Sequence, residues 1–279
     1  MIKVLAPGLF TTVQDTGRFG YRNKGVPVSG AMDSFSAVLA NRLLNNDDGA
    51  ALLEITMTGP ELEFTAPTHI VITGARIRPA INQTLIPNNR VIRIHPSDVL
   101  SFGKPERGIR AYMAIKGGFG TPVVLKSRSL YFPVTAYDHL KKGQELGHEA
   151  FEGTVDELIE IKVNNDFLFG SSIPVYPGPE YDMLNAEEKE MLGRGFSVST
   201  LNNRMAYQLE EQLPPNDYGI ITSGTLPGTV QLTPSGRLIV LMKDCQTTGG
   251  YPRILQLSEQ GICALAQKKY GDRIVFTMC

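Results

Sequence analysis

Short apolar runs, each bounded by turn residues, recur along most of this chain and limit what it can fold into. Residues 52–57, 69–73, 90–94, 99–102, 110–115 and 157–163 each have the length and the β-branched or aromatic content of a strand, with Gly, Pro, Asn or Asp clustered between them. The chain is therefore expected to be mainly β, with three short helices. Over 33–44, Phe35, Val38, Leu39 and Leu43 share one helical face, Asp33 is positioned as N-cap, and the polar run from Asn45 to Gly49 ends the helix. Asn185, Glu188 and Gly193 have the spacing of a capping box and a stop, and 258–268 groups Ile262, Leu265 and Ala266.

A length of 279 residues suits two domains better than one, because single cores seldom grow past about 250–300 residues. Asp98-Val99-Leu100-Ser101-Phe102 is echoed by Asp272-Arg273-Ile274-Val275-Phe276, as two similar halves would require. Each echo strand could close a small barrel, which removes the exposed edges of a sheet. Polar residues and glycines crowd 137–156, which places the linker there and the two domains at 1–150 and 151–279. The proline-rich stretch 173–179 then reads as an early loop of the second domain.

Composition excludes several classes of function. Hydrophobic residues at 42% and charged residues at 20% support a packed core, and a net charge of -1 without Lys/Arg clusters offers nothing to a nucleic acid. Cys245, Cys263 and Cys279 are odd in number and lack metal-ligand spacing, which points to a reducing, cytoplasmic setting. No apolar run approaches the roughly 20 residues that span a bilayer, and Pro7 interrupts any leader-like start. Phosphate-loop, zinc-protease and nucleophile-elbow motifs are missing, Gly117-Gly118-Phe119-Gly120 reads as a turn, and His69, His95, His139 and His148 are scattered, so no metal is expected. Met242-Lys243 resembles a biotin attachment pair, but it ends the apolar run 238–241 as a barrel strand would, so no covalent biotin is expected on this chain.

Two segments stand apart. The first runs from Pro7 through Asp15, Gly17 and Arg18 to Ser29, Gly30 and Asp33; the second is Asp244-Cys245-Gln246-Thr247-Thr248-Gly249-Gly250-Tyr251-Pro252. Both combine glycines with hydroxyl and charged side chains, as a site needing close backbone approach and fixed polar geometry would. Asp15 and Arg18 could instead pair across the Thr16-Gly17 turn, and Asp33 could serve only as a cap. Glu54 alternates with Leu53 and Ile55, so it is either solvated or, at a barrel mouth, a general acid or base. In the second segment Gln246, Thr247, Thr248 and the Gly249-Gly250 backbone could hold an oxyanion or a lactam carbonyl. Their shared character predicts one site assembled by the fold.

Together these segments identify the chain as resembling the carboxyltransferase-like family that includes allophanate hydrolase subunit 2, the C subunit of bacterial 5-oxoprolinase and the matching part of urea carboxylase. The resemblance also takes in Gly25-Val26-Pro27, Ala40-Asn41, Thr73-Gly74-Ala75, Ser127-Arg128-Ser129, Pro177-Gly178-Pro179, Arg204-Met205 and Pro227-Gly228, and is nearly end to end. It implies two cyclophilin-like β-barrel subdomains acting with two partners of the 5-oxoprolinase complex, one kinase-inhibitor-like and the other lactam-cleaving. The implied reaction is ATP-dependent opening of 5-oxoproline to glutamate, with ATP held by this chain or by the complex. The alternatives are carboxyl transfer to urea or an amide, and non-enzymatic binding of a kinase inhibitor. Under this resemblance Asp15, Arg18, Glu54 and Asp244 are expected to be catalytic, and Ser29, Arg204, Gln246, Thr247, Thr248, Gly249, Gly250 and Tyr251 to bind a lactam or amide substrate. The chain departs from the family pattern at Lys126, where glycine is usual, at Asn203, where Asp is usual, and at Cys245, where a basic residue is usual.

Overall fold

A computed structural model of the protein describes residues 1–155 and 164–279, so the strand expected over 157–163 lies outside the described residues. The chain divides into two compact units, residues 1–19 with 29–163 and residues 20–28 with 164–279. Both are built mainly from strands, with three short α-helices.

The first unit contains two antiparallel sheets. One orders Glu145–Leu146, Ile2–Ala6, Glu61–Phe64, Val99–Phe102, Pro79–Ile81 and Thr84–Leu85; the other orders Phe10–Gln14, Leu52–Thr56, Arg107–Ile115, Thr68–Arg76 and Ile92–Ile94. Alternation along these strands sends Ile2, Val4, Leu62, Phe64 and Leu100 of one sheet, and Val13, Leu53, Ile55, Ile72 and Met113 of the other, into a common core. Each such side chain contributes about 1.5–3 kcal/mol of burial. Of the stretch expected as a linker, 137–156, the described residues 137–155 are built into this unit: Leu140 and Leu146 are core residues and Ile2 pairs with Leu146.

The opposite face of the five-stranded sheet is covered by α1 (Ser34–Leu43), where Leu52, Val71, Tyr112 and Ala114 meet Ala37 and Ala40. The helix is capped by Asp33, whose Oδ1 accepts from the Ser36 amide at 3.0 Å. Its buried face is Ser36, Ala37, Ala40 and Asn41 rather than the larger residues that share a face in sequence, and Phe35 stands 37% exposed. Small side chains let the helix approach closely enough for Thr73 Oγ1 to donate to the Ser36 carbonyl at 2.7 Å and for the Asn41 amide to donate to the Ala50 carbonyl at 2.8 Å.

In the second unit a closed barrel orders Ser172–Pro177, Arg253–Leu257, Thr229–Leu232, Arg237–Leu241, Ala206–Gln212, Phe196–Asn202 and Arg273–Met278. Arg273–Met278 completes the ring by pairing parallel with Ser172–Pro177 and antiparallel with Phe196–Asn202. The proline-rich stretch is therefore a barrel strand and not a loop. The echo strand Val99–Phe102 lies inside its own sheet, between Glu61–Phe64 and Pro79–Ile81, and closes nothing. The helix α2 (Ala186–Leu192) has the capping box of Asn185 and Glu188 and ends at Gly193. The helix α3 (Glu259–Ala266), capped by Ser258, buries Gly261 to Ala266. Gly261 is required by this packing, because a Cβ there would stand 2.6 Å from the Pro174 carbonyl oxygen.

Candidate functional site

Asp15 follows directly on the strand Phe10–Gln14 and organises the loop 124–130. Its Oδ1 accepts from the Gly17 amide at 2.8 Å and from the Ser127 and Ser129 hydroxyls at 2.7 Å each, and its Oδ2 accepts from the Arg128 amide at 2.6 Å. Arg18, fully buried, donates to the Ser129 carbonyl at 2.7 Å and the Val124 carbonyl at 3.3 Å. The two most conspicuous charges of the first segment thus grip the same loop. Ser29 is also fully buried, in a left-handed conformation at φ 58°. Its hydroxyl has no hydrogen-bond partner among the described residues.

Glu54 is 1% exposed, so the solvated alternative does not hold. The segment leading into α1 reaches Glu54 through Met32, on a strand face that period-two alternation by itself would assign to water. Its Oε2 accepts from the Met32 amide at 2.7 Å and from the Tyr112 hydroxyl at 2.9 Å, and its Oε1 stands 3.8 Å from Arg110 Nε. The Tyr112 oxygen in turn accepts from the Asp33 amide at 2.8 Å. Burial foremost, then the charges of Glu54 and Asp33, push the Tyr112 hydroxyl well above the usual phenol range, which keeps it protonated as a donor. This network holds the segment 32–36 onto the sheet.

A cleft of about 710 Å³ opens in the first unit beside Asp15. Lys126, Ser127 and Arg128 contribute to its lining, as do Asp47, the turn Gly117-Gly118, His148 and Glu149. Burial is the main influence holding the His148 imidazole below its ordinary pKa, so this side chain is a neutral hydrogen-bonding group near pH 7. Of these residues only Asp15 was expected at a site. The Ser127-Arg128-Ser129 motif was the available signal, since alternate serines in one loop suit a shared acceptor.

The second unit has its own polar centre. Arg204 Nε and Nη2 donate to Asp244 Oδ2 and Oδ1 at 2.7 and 3.2 Å, a two-pronged pair with side chains only 7% and 11% exposed. It anchors the start of the 244–252 segment, helped by the Asp244 amide, which donates to the Arg204 carbonyl at 2.9 Å. Beyond it Gln246 Nε2 donates to Gln231 Oε1 at 3.3 Å, and Thr248–Gly249 pairs with Ser223–Gly224 as a small ribbon. A Cβ at Gly249 would fall 2.4 Å from Gln231 Nε2, so the Gln231 side chain would have to shift to admit one. Thr248 and Gly250 are exposed and Tyr251 is 43% exposed, leaving the tip of the loop accessible.

Arg22, which the sequence did not single out, lies beside the second segment. Residues 20–28 belong to the second unit, and Arg22 Nη2 donates to the Thr225 carbonyl and, at 3.3 Å, to the Thr247 carbonyl. It also stands beside Cys245, whose thiol burial pushes up while the Arg22 charge pulls it down. Among the described residues no three His, Cys, Asp or Glu side chains gather as a metal site would, and no helix is long and apolar enough to cross a membrane.

An antiparallel two-sheet unit and a seven-stranded closed barrel, each with a buried polar cluster anchoring a loop, fit the cyclophilin-like barrel class. The chain belongs to the carboxyltransferase domain family, subdomains A and B, which it matches over residues 24–278. It is 33% identical to the C subunit of 5-oxoprolinase from Escherichia coli (strain K12), covering 100% of this chain and 91% of that protein. It is 27% identical to the protein of the same name in Haemophilus influenzae, covering 99% and 90%. The solved structure of the Kluyveromyces lactis urea amidolyase superposes with a TM-score of 0.86 at 30% identity, covering 99% of this chain and 18% of that one. That of TTHA0988 superposes at 0.87 with 28% identity, and this chain spans 56% of its length.

Proposed function

We propose that this protein is one component of an ATP-dependent 5-oxoprolinase, opening 5-oxoproline to glutamate in the cytoplasm together with a kinase-inhibitor-like partner and a lactam-cleaving partner. One observation carries the reading: the chain matches two proteins named as the C subunit of 5-oxoprolinase over 91% and 90% of their lengths, whereas it matches urea amidolyases over 9% and 7%. A lactam is a stable amide, and ATP would activate its carbonyl oxygen as a leaving group; the protein's part is to orient the ring and stabilise charge on that oxygen.

In this reading the exposed tip of the second segment meets substrate: the Thr247, Thr248 and Tyr251 side chains and the Gly249-Gly250 backbone supply the contacts, with Gln246 behind them. Arg204 and Asp244 act as positioning residues that fix the start of this loop. Arg18, Glu54 and Ser29 are enclosed in the first unit and Asp15 borders its cleft; Asp15, Arg18 and Glu54 hold polypeptide segments in place, so their roles are positioning ones as well. ATP is held by the complex, and no covalent biotin is carried on this chain.

The test is reconstitution of the chain with its two partners, following phosphate release and glutamate formation on addition of 5-oxoproline. Turnover that requires all three proteins and falls at least tenfold with Thr248→Val and Tyr251→Ala supports the proposal, and 5-oxoproline-independent phosphate release defeats it. A second reading, carboxyl transfer from a carboxybiotin on another protein, is favoured by the superposition on a urea amidolyase. Inhibition of the reconstituted reaction by avidin would select it.

A further inference from the structure

The cleft in the first unit carries an arrangement of charge that the ring-opening proposal does not use. Asp15 receives four hydrogen bonds, three of them from the loop 124–130, and Arg18 adds two more to that loop from a fully buried position. Burying an arginine and committing a carboxylate to one loop is costly unless the groups are matched, so the loop is held in a single geometry. Within it Leu125 and Lys126 both adopt left-handed backbone conformations, at φ 51° and 63°. Such a conformation costs a residue with a Cβ roughly 1–2 kcal/mol. The second of these positions is occupied by lysine where glycine would be unstrained.

The cations that this scaffold presents are left unused by the protein. Among the described residues, neither the Lys126 ammonium nor the Arg128 guanidinium has a hydrogen-bond or ion-pair partner, although the Arg128 amide is tied to Asp15. Asp47 and Glu149 line the same cleft, and their carboxylates are likewise without partners among the described residues. The neutral imidazole of His148 lies beside Glu149, with its Nδ1 2.9 Å from the Glu149 carbonyl oxygen. Two cations and two carboxylates thus share one cleft without neutralising each other, which is the complement of a small molecule bearing both signs of charge.

We propose that this cleft binds an acidic α-amino acid, with its two carboxylates on Lys126 and Arg128 and its ammonium group facing Asp47 and Glu149. Arg128 supplies a planar fork suited to a carboxylate, and Lys126 supplies a point charge. The cleft volume is in the range of small-molecule sites. The inference stands on the charges of the cleft and does not require the ring-opening reading.

The experiment is titration of the full chain, without ATP or partner proteins, followed by calorimetry and amide NMR. The probes are L-glutamate, glutarate, which lacks the ammonium group, and 4-aminobutyrate, which lacks one carboxylate. Saturable binding of glutamate is expected, with shifts at residues 124–130 and 147–149 and with the other two probes at least tenfold weaker. Arg128→Gln and Lys126→Gly should each weaken glutamate about tenfold, the size of one charge-assisted hydrogen bond. Lys126→Gly also tests folding, because glycine accepts the backbone at this position without strain and the variant should melt no lower than the parent. The double variant Asp47→Asn/Glu149→Gln should weaken glutamate while leaving glutarate unchanged or tighter. Absence of saturable glutamate binding, equal affinity for glutarate in the parent, or unchanged affinity in the folded Arg128→Gln and Lys126→Gly variants would overturn the proposal. Because no turnover is involved, that failure is separate from failure of the reconstituted lactam assay.

Discussion

Replacing Asp15 by asparagine changes one oxygen to an amide group and little else, so it isolates what the carboxylate does for the loop 124–130. In the parent one oxygen receives three hydrogen bonds, from the Gly17 amide and the Ser127 and Ser129 hydroxyls, while the other receives the Arg128 amide at 2.6 Å. An asparagine side chain can keep its oxygen on the threefold side, but its NH₂ then faces the Arg128 N–H, donor against donor. The bond lost is one to a charged acceptor, worth about 1.5–3 kcal/mol. The three that remain lose their charge assistance, roughly halving each. Non-additivity within one network makes a total on the order of 3–5 kcal/mol the expected destabilisation of the first unit. The chain has no tryptophan, so urea unfolding is followed by circular dichroism, with amide exchange reporting on the loop. Exchange at Ser127, Arg128 and Ser129 should accelerate far more than exchange in Arg107–Ile115. A variant within about 0.5 kcal/mol of the parent, with unchanged exchange in the loop, would refute the scaffold role.

Other outcomes follow from the second unit and from the titrating groups. Arg204→Met leaves the Asp244 carboxylate enclosed without its two-pronged partner and should cost about 3–5 kcal/mol in denaturant unfolding, with much of the loss recovered in Arg204→Met/Asp244→Leu. Arg22→Met removes the donor shared by the Thr225 and Thr247 carbonyls and should cost about 1–3 kcal/mol while accelerating amide exchange across 245–250. Stability should fall in two acid steps that mutation separates. The hydrogen bond from Arg253 lowers the Glu180 pKa, so its contribution is complete above the unfolded value near 4.3 and is lost as pH falls below it, and Glu180→Gln should flatten that step. Burial lowers the His69 pKa, so the unfolded chain takes up a proton first below about 6.5, and His69→Gln should remove the earlier step.

Local patterns carried much of the architecture. The caps at Asp33 and Asn185, the capping box and strands such as Leu52–Thr56, Val99–Phe102 and Arg107–Ile115 depend on a few neighbouring residues and were legible as sequence. So were the two glycine-rich segments, because left-handed turns and close backbone approach leave few alternatives to glycine. What escaped the sequence depends on contacts between distant residues. Residues 173–177 look like a loop until Arg253–Leu257 and Arg273–Met278 are seen to flank them. Glu54 looks solvated until Met32, just before a helix, and Tyr112, from the neighbouring strand, are seen to meet its carboxylate.

The same division applies to the candidate sites. The charge of Asp15 and Arg18 is plain in the sequence, but its use is decided more than 100 residues away, at Ser127, Arg128 and Ser129. Arg22 gained significance only when the fold carried residues 20–28 into the second unit, beside carbonyls at 225 and 247. Chain chemistry by itself determined that this protein would be a β structure with glycine-hinged polar loops, because propensity and turn geometry act over a few residues. Tertiary structure alone decided which charges are consumed as scaffold and which remain for a ligand, because pairing and desolvation depend on neighbours that the order of residues does not place together.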